Sequence, residues 1–170
     1  MEVRILYLLA LLEGVLVMAI ELLAARILTP YYGSSIYVWA SILGTTMISL
    51  FLGYLYGGYA SKKTDRFQLL AYVILVVSIW ILFMPILGKI TSDILSDFQL
   101  LIGTNLSTLI LILIPLFLLG SLTPRIVQML SSQSILPGVA SSRTYAISTL
   151  GEFLAHLLLV CRGCLKSQNR

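Results

Sequence analysis

Charge is what this chain has least of: Asp, Glu, Lys and Arg make up 11% of its 170 residues, against 59% hydrophobic. A soluble domain carries about a quarter charged and about half apolar. That scarcity excludes a water-solvated globular domain and a charge-rich disordered tail. Cysteine is nearly absent, and Cys161 and Cys164 are too few for the disulfide framework of a small secreted scaffold. Histidine occurs once, as His156, which leaves little from which to build a metal centre. The 11 basic residues outnumber the 7 acidic ones but form no basic face, so no nucleic-acid partner is expected. What remains in abundance is apolar sequence, and a mean hydropathy of +1.01 points to an integral membrane protein.

About 20 apolar residues cross ~30 Å of hydrocarbon. On that measure residues 5–27, 36–60, 67–87, 101–122 and 140–160 are expected to span, an all-α polytopic bundle of about five transmembrane helices. Residues 1–160 then form a single transmembrane domain and 161–170 a polar tail. Pro115 lies inside the fourth segment, where a bundle tolerates it as a kink because neighbouring groups can re-satisfy the freed carbonyl. The fifth segment carries Ser141, Ser142, Arg143, Thr144, Ser148, Thr149, Glu152 and His156, so it can insert only with much of its surface against other helices. Arg4 followed by an apolar stretch also resembles a signal peptide, but Glu13 interrupts that stretch and Glu21 sits beside the small residues where cleavage would fall. A retained helix is the expectation.

Orientation follows from Lys and Arg. An inside amino terminus places Arg4, Lys62, Lys63, Arg66, Arg125 and Arg143 inside, with Lys89, Asp93 and Asp97 outside. The amino terminus is therefore expected to be cytoplasmic and the protein to reside in the plasma membrane. With five spans Arg162, Lys166 and Arg170 fall outside, against that bias; either the last segment does not span or the tail does not belong to the architecture. Between spans, residues 88–103 place Ile90, Ile94, Leu95, Phe98 and Leu101 at helical spacing beside Asp93, Asp97 and Gln99, which predicts a short amphipathic helix on the membrane surface. Residues 131–138 read as an inside loop.

Two features carry chemistry or packing. Ser41, Thr45, Ser49, Gly53 and Gly57 fall every fourth residue, laying small side chains on one face where another helix can approach closely. Ala10, Gly14, Met18, Glu21 and Ala25 do the same in the first segment, and Thr144, Ser148, Gly151 and Ala155 in the fifth. Gly14, Ser49, Gly53, Gly57 and Gly151 are thus the packing candidates. Glu13 and Glu21 are sharper, because a charge near the bilayer centre costs roughly 2.5 to 3.5 kcal/mol. A carboxylate there suits a polar cavity that binds a cation or relays a proton, or else a protonated or paired acid within the bundle. Glu21 and Arg26 are five apart and share no face. Glu152 and His156, four apart, could orient one another, but no second catalytic group stands at matching depth and Cys161-Arg-Gly-Cys164 is weak support for zinc. No metal or cofactor is expected.

From residue 21 the letters become specific. Glu-Leu-Leu-Ala-Ala-Arg at 21–26, Pro30, Tyr-Tyr-Gly-Ser-Ser at 31–35, Val38-Trp39-Ala40 and Gly53-Tyr-Leu-Tyr-Gly-Gly58 resemble the amino-terminal membrane region of spermidine-synthase-like membrane proteins. In that family a major-facilitator-like membrane part is fused to a polyamine-synthase-like domain. Pro115, Gly120, Thr123-Pro124-Arg125, Gly138 and residues 145–151 look like its later segment, so the resemblance covers roughly residues 13–151. It departs at Tyr59-Ala60-Ser61-Lys62, where the family has leucine-alanine-aspartate-arginine, and again after Gly151, where the chain ends in a tail foreign to the pattern, as a truncated or frame-shifted reading of a longer gene would. The synthase half, with its glycine-rich turn after a strand, is absent, so aminopropyl transfer is not expected of this chain.

The resemblance implies a membrane domain that binds or moves a small cationic solute such as a polyamine, with Glu13, Glu21, Arg26 and Trp39 as the solute-binding candidates. Five spans are few for a carrier built of paired repeats, so a homo-oligomer or a second membrane chain is expected beside the lipid bilayer. The alternative is a non-catalytic membrane anchor or assembly subunit whose small-residue stripes pack a partner, or a truncated product without activity of its own.

Overall fold

The computed structural model describes residues 3–61, 67–95, 100–133 and 135–168. Every element among them is an α-helix: α1 Val3–Tyr32, α2 Ile36–Ser61, α3 Phe67–Leu95, α4 Leu100–Gly120, α5 Leu122–Ser131 and α6 Pro137–Gln168. Four stretches, Val3–Tyr32, Ile36–Ser61, Gln68–Leu95 and Leu101–Ser131, are long and apolar enough to cross a membrane. The chain is an all-α bundle with the composition and helix lengths of an integral membrane protein.

Two expectations about the elements need correction. The surface helix over 88–103 is not a separate element, because Ile90 and Ile94 belong to the last turns of α3. Gly88 does not end that helix: it is buried, and the place of its missing side chain is filled by Ile27 of α1. Asp97, Phe98 and Gln99 lie outside the described residues, as do Lys62, Lys63, Asp65, Arg66 and Arg170. The fourth segment ends near its expected bound, α4 closing at Gly120, and the Ser121 N–H bonds to the Phe117 and Leu118 carbonyls in a tightened turn before a further helix, α5, begins. The fifth segment is helical but is not among the stretches apolar enough to cross, and its backbone continues as helix through the expected tail to Gln168.

The helix ends follow from local chemistry. Gly33, at φ +75°, takes the left-handed conformation that closes α1, its N–H bonding to the Thr29 carbonyl at 2.9 Å. The Ser35 carbonyl accepts the first bonds of α2, from Val38 and Trp39. Pro137 opens α6 at a position where its missing N–H costs nothing, and the preceding Leu136 carbonyl accepts from Val139 and Ala140.

The chain divides into two compact units, Met1–Ala19 with Ile126–Arg170, and Ile20–Arg125. In the first, the early turns of α1 meet α6 backbone to backbone: Gly14 abuts the Ser148 carbonyl and Gly151 the Leu11 carbonyl, and neither has room for a methyl group. In the second, α4 packs against both α2 and α3. Ser41, Thr45, Ser49, Gly53 and Gly57 are all buried on α2. A Cβ on Gly53 would lie 2.5 Å from the Phe117 carbonyl oxygen, and one on Gly57 2.8 Å from Ser121 Cα. Such close approach lets dispersion and backbone contacts replace the hydrophobic drive that lipid does not supply.

Pro115 illustrates how this unit settles its backbone polar groups. A proline leaves the carbonyl four residues before it without an N–H partner. That carbonyl is Leu111, and it accepts a hydrogen bond from Trp80 Nε1 of α3 at 3.2 Å.

Candidate functional site

The carboxylates singled out in α1 occupy different surroundings. Glu13 belongs to the unit of Met1–Ala19 and Ile126–Arg170 and is 2% exposed. The residue after it, Gly14, is the one pressed onto Ser148 where α1 and α6 approach backbone to backbone. Thr144 and Ser148 are the buried hydroxyl residues of α6 in this unit, and the Thr144 hydroxyl is committed to the Ala140 carbonyl at 2.8 Å. A groove of about 330 Å³ in the same unit is lined by Val15, Ala19, Ala155, Leu158 and Leu159 and is chiefly apolar.

Glu21 lies in the other unit, half-buried, with its carboxylate beside the Thr46 hydroxyl of α2. The Thr46 hydroxyl is buried and closes no hydrogen bond of good geometry, although Glu21 is within its electrostatic reach. One turn further along α2 the Ser49 hydroxyl is fully occupied, donating to the Thr45 carbonyl at 2.6 Å. The Thr46 hydroxyl is placed to donate to the Glu21 carboxylate, whose further lone pairs suit a ligand that brings its own donors or positive charge.

Arg26 and Trp39 are exposed rather than turned into the packing. Glu13 is thus a buried carboxylate in one unit, and Glu21 a half-buried carboxylate with a hydroxyl neighbour in the other. Among the packing candidates, Gly14 abuts Ser148 and Gly151 abuts Leu11 in one unit, while Ser49, Gly53 and Gly57 are buried on α2 in the other, the two glycines against the end of α4 and the turn after it. His156 is exposed and Glu152 half-buried on α6, and Cys161 is an exposed free thiol. The side chains of Arg162, Cys164 and Lys166 lie outside the description. Among the described residues no three of His, Cys, Asp or Glu come together in a way that would hold a metal ion.

Three polar features were not singled out from the sequence. The Tyr32 hydroxyl meets the Ser107 hydroxyl at 3.0 Å in a buried pair between α1 and α4. The Tyr31 hydroxyl stands next to the Asp93 carboxylate. Arg125, counted only as an orientation charge, is buried near the start of α5. The Trp80 bond could have been sought by counting four back from Pro115, but its donor could not be chosen among helices without the fold. No protein-family model matches this chain, and comparison with curated proteins and with solved structures returned no match.

Proposed function

We propose that this chain is a helical membrane domain that binds a small cationic solute, a polyamine being the candidate, with Glu21 as the principal ligand and Thr46 as its neighbour. The observation that carries the reading is a half-buried carboxylate in an apolar helix whose neighbour on α2 is the neutral, buried Thr46 hydroxyl. An ammonium group has three donors and no acceptor, so it can satisfy both oxygens at once and offset the cost of holding a carboxylate among apolar helices. Glu13 is a second buried acid in the other unit, placed for a cation or for a proton. The exposed positions of Arg26 and Trp39 suit contact with headgroups or with the flank of a solute, not a share in its burial. The polyamine choice rests on the resemblance to spermidine-synthase-like membrane proteins, and the cytoplasmic amino terminus on the distribution of Lys and Arg.

The anchor reading draws less support than its motive suggested. Its argument was that small-residue stripes exist to pack a partner, yet the stripes on α2 and α6 are occupied within the chain itself.

The test is thermal unfolding of the detergent-purified chain titrated with putrescine and spermidine, with sodium chloride at equal ionic strength as control. A ligand that binds only the folded state stabilises it by about 2.7 kcal/mol at a hundredfold excess over Kd. The expected result is a saturable rise in Tm that Glu21→Gln abolishes and Thr46→Val weakens. A folded chain that ignores both polyamines, or a Glu21→Gln variant that responds like the parent, sinks the reading.

A further inference from the structure

Near the start of α5 a cation is buried with no counter-charge from α2, α4 or α5. Arg125 is 7% exposed, and nothing among the described residues accepts a hydrogen bond from its Nε. The helices packed around this end of the unit offer it no carboxylate, since α2, α4 and α5 contain neither Asp nor Glu. The described acids of the same unit are placed elsewhere, Glu21 beside Thr46 and Asp93 beside Tyr31. The nearby Ser121 hydroxyl is already committed, donating to the Leu118 carbonyl at 2.7 Å. A guanidinium cannot shed its charge, so burying it demands an anion or well-placed acceptors.

The backbone points the same way. Arg125 is the fourth residue of α5, a helix of 10 residues. Helical side chains lean toward the amino-terminal end, so this guanidinium reaches back over the first turn of its own helix. That turn carries the Leu122 and Thr123 N–H groups, Pro124 having none, and the positive end of the helix dipole. A planar fork of donors and a helix amino terminus are two devices that each recognise tetrahedral oxyanions.

We propose that Arg125 and the first turn of α5 form a binding site for a phosphate-type oxyanion, either the headgroup phosphate of an anionic membrane lipid or free inorganic phosphate. Lys62, Lys63, Arg66 and Arg143 fall on the same side of the membrane in the topology argued from the sequence, and a basic inner face draws anionic headgroups to it. The site shares no residue with the Glu21 reading and stands or falls without it.

The experiment uses the full chain in two settings. In detergent, Tm is followed against inorganic phosphate, with chloride at equal ionic strength as control. In nanodiscs, the chain in phosphatidylcholine alone is compared with the chain in phosphatidylcholine mixed with phosphatidylglycerol. Arg125→Lys keeps the charge but loses the fork, and Arg125→Gln loses both. The expected result is a saturable response of the parent chain to phosphate, to phosphatidylglycerol or to both, about tenfold weaker in Arg125→Lys and absent in Arg125→Gln. A response to phosphate without one to phosphatidylglycerol identifies a soluble anion, and the reverse identifies a headgroup. If Arg125→Gln does not fold, the comparison of the parent with Arg125→Lys decides. No anion response from the folded parent chain overturns the site, as does an equal response from parent and variants.

Discussion

A single methyl group at Gly57 is expected to cost far more than one at Gly58, the next residue. On Gly57 it would lie 2.8 Å from Ser121 Cα and 2.9 Å from Pro124 Cγ, where α2 meets the α4–α5 turn and neither backbone can yield without moving a helix. On Gly58 it would meet nothing within 4 Å. Overpacking of this kind costs about 1 to 3 kcal/mol, whereas alanine for glycine at an open helical position gains about 0.5 to 1 kcal/mol. Unfolding of Gly57→Ala and Gly58→Ala in mixed micelles measures the contrast, and equal stabilities would mean the two helices do not approach as described. The stripe ending at Gly57 was legible because its period of four is local sequence information. What it meets was not, because the stripe on α2 carries no mark of α4, whose contact residues Phe117 and Gly120 belong to a different period. The same limit governs the acids: Glu13 and Glu21 are conspicuous in an apolar helix, but the burial of the one and the Thr46 neighbour of the other are set by packing.

At the scale of elements, the bond between α3 and α4 through Trp80 depends on a break in the α4 ladder. Trp80→Phe removes the donor and leaves the Leu111 carbonyl without its partner, at a cost of about 1 to 3 kcal/mol. Pro115→Ala restores an N–H at the position that ordinarily bonds Leu111, so the double variant is expected to recover part of the loss. The two substitutions should therefore couple by about 1 kcal/mol in a double-mutant cycle, and strict additivity would show that the indole bond does not answer the proline. Helix existence was the most legible part of this fold: the expected 36–60 matches α2 Ile36–Ser61 to within a residue, because Gly33 and Ser35 punctuate one end. The ends that slipped lacked such punctuation. Nothing between Leu87 and Leu95 breaks a helix once Gly88 is held by Ile27, so α3 runs two turns beyond its expected stop. Conversely, Gly120, Ser121 and Pro124 punctuate the end of the fourth segment, and α4 stops at Gly120, within two residues of the expected 122.

For the molecule as a whole, the number of crossings decides where the carboxy-terminal charges lie. Five spans from an inside amino terminus send Arg162, Lys166 and Arg170 outside, against the bias set by the other cations. Four crossings, one for each stretch apolar enough, would return the chain after Ser131 to the side on which it starts, and α6 is not among those stretches. An α6 that does not cross leaves the tail charges with Lys62, Lys63, Arg66 and Arg125, which removes the conflict. It also spares the insertion of Glu152, whose charge at the bilayer centre would cost roughly 2.5 to 3.5 kcal/mol. Against this stand Leu150, Phe153, Leu154, Leu157 and Leu158, all exposed on α6, an apolar face that a helix lying in the interface can bury in lipid without crossing. The exposed Cys161 thiol reports the outcome directly. With a membrane-impermeant maleimide on sealed vesicles, Cys161 in a Cys164→Ser background is expected to label from the same side as Lys62→Cys in a cysteine-free chain, and from the side opposite to Lys89→Cys. Labelling of Cys161 together with Lys89→Cys would instead make α6 a fifth span, with its acid carried through the bilayer against α1 and its tail on the unfavoured side.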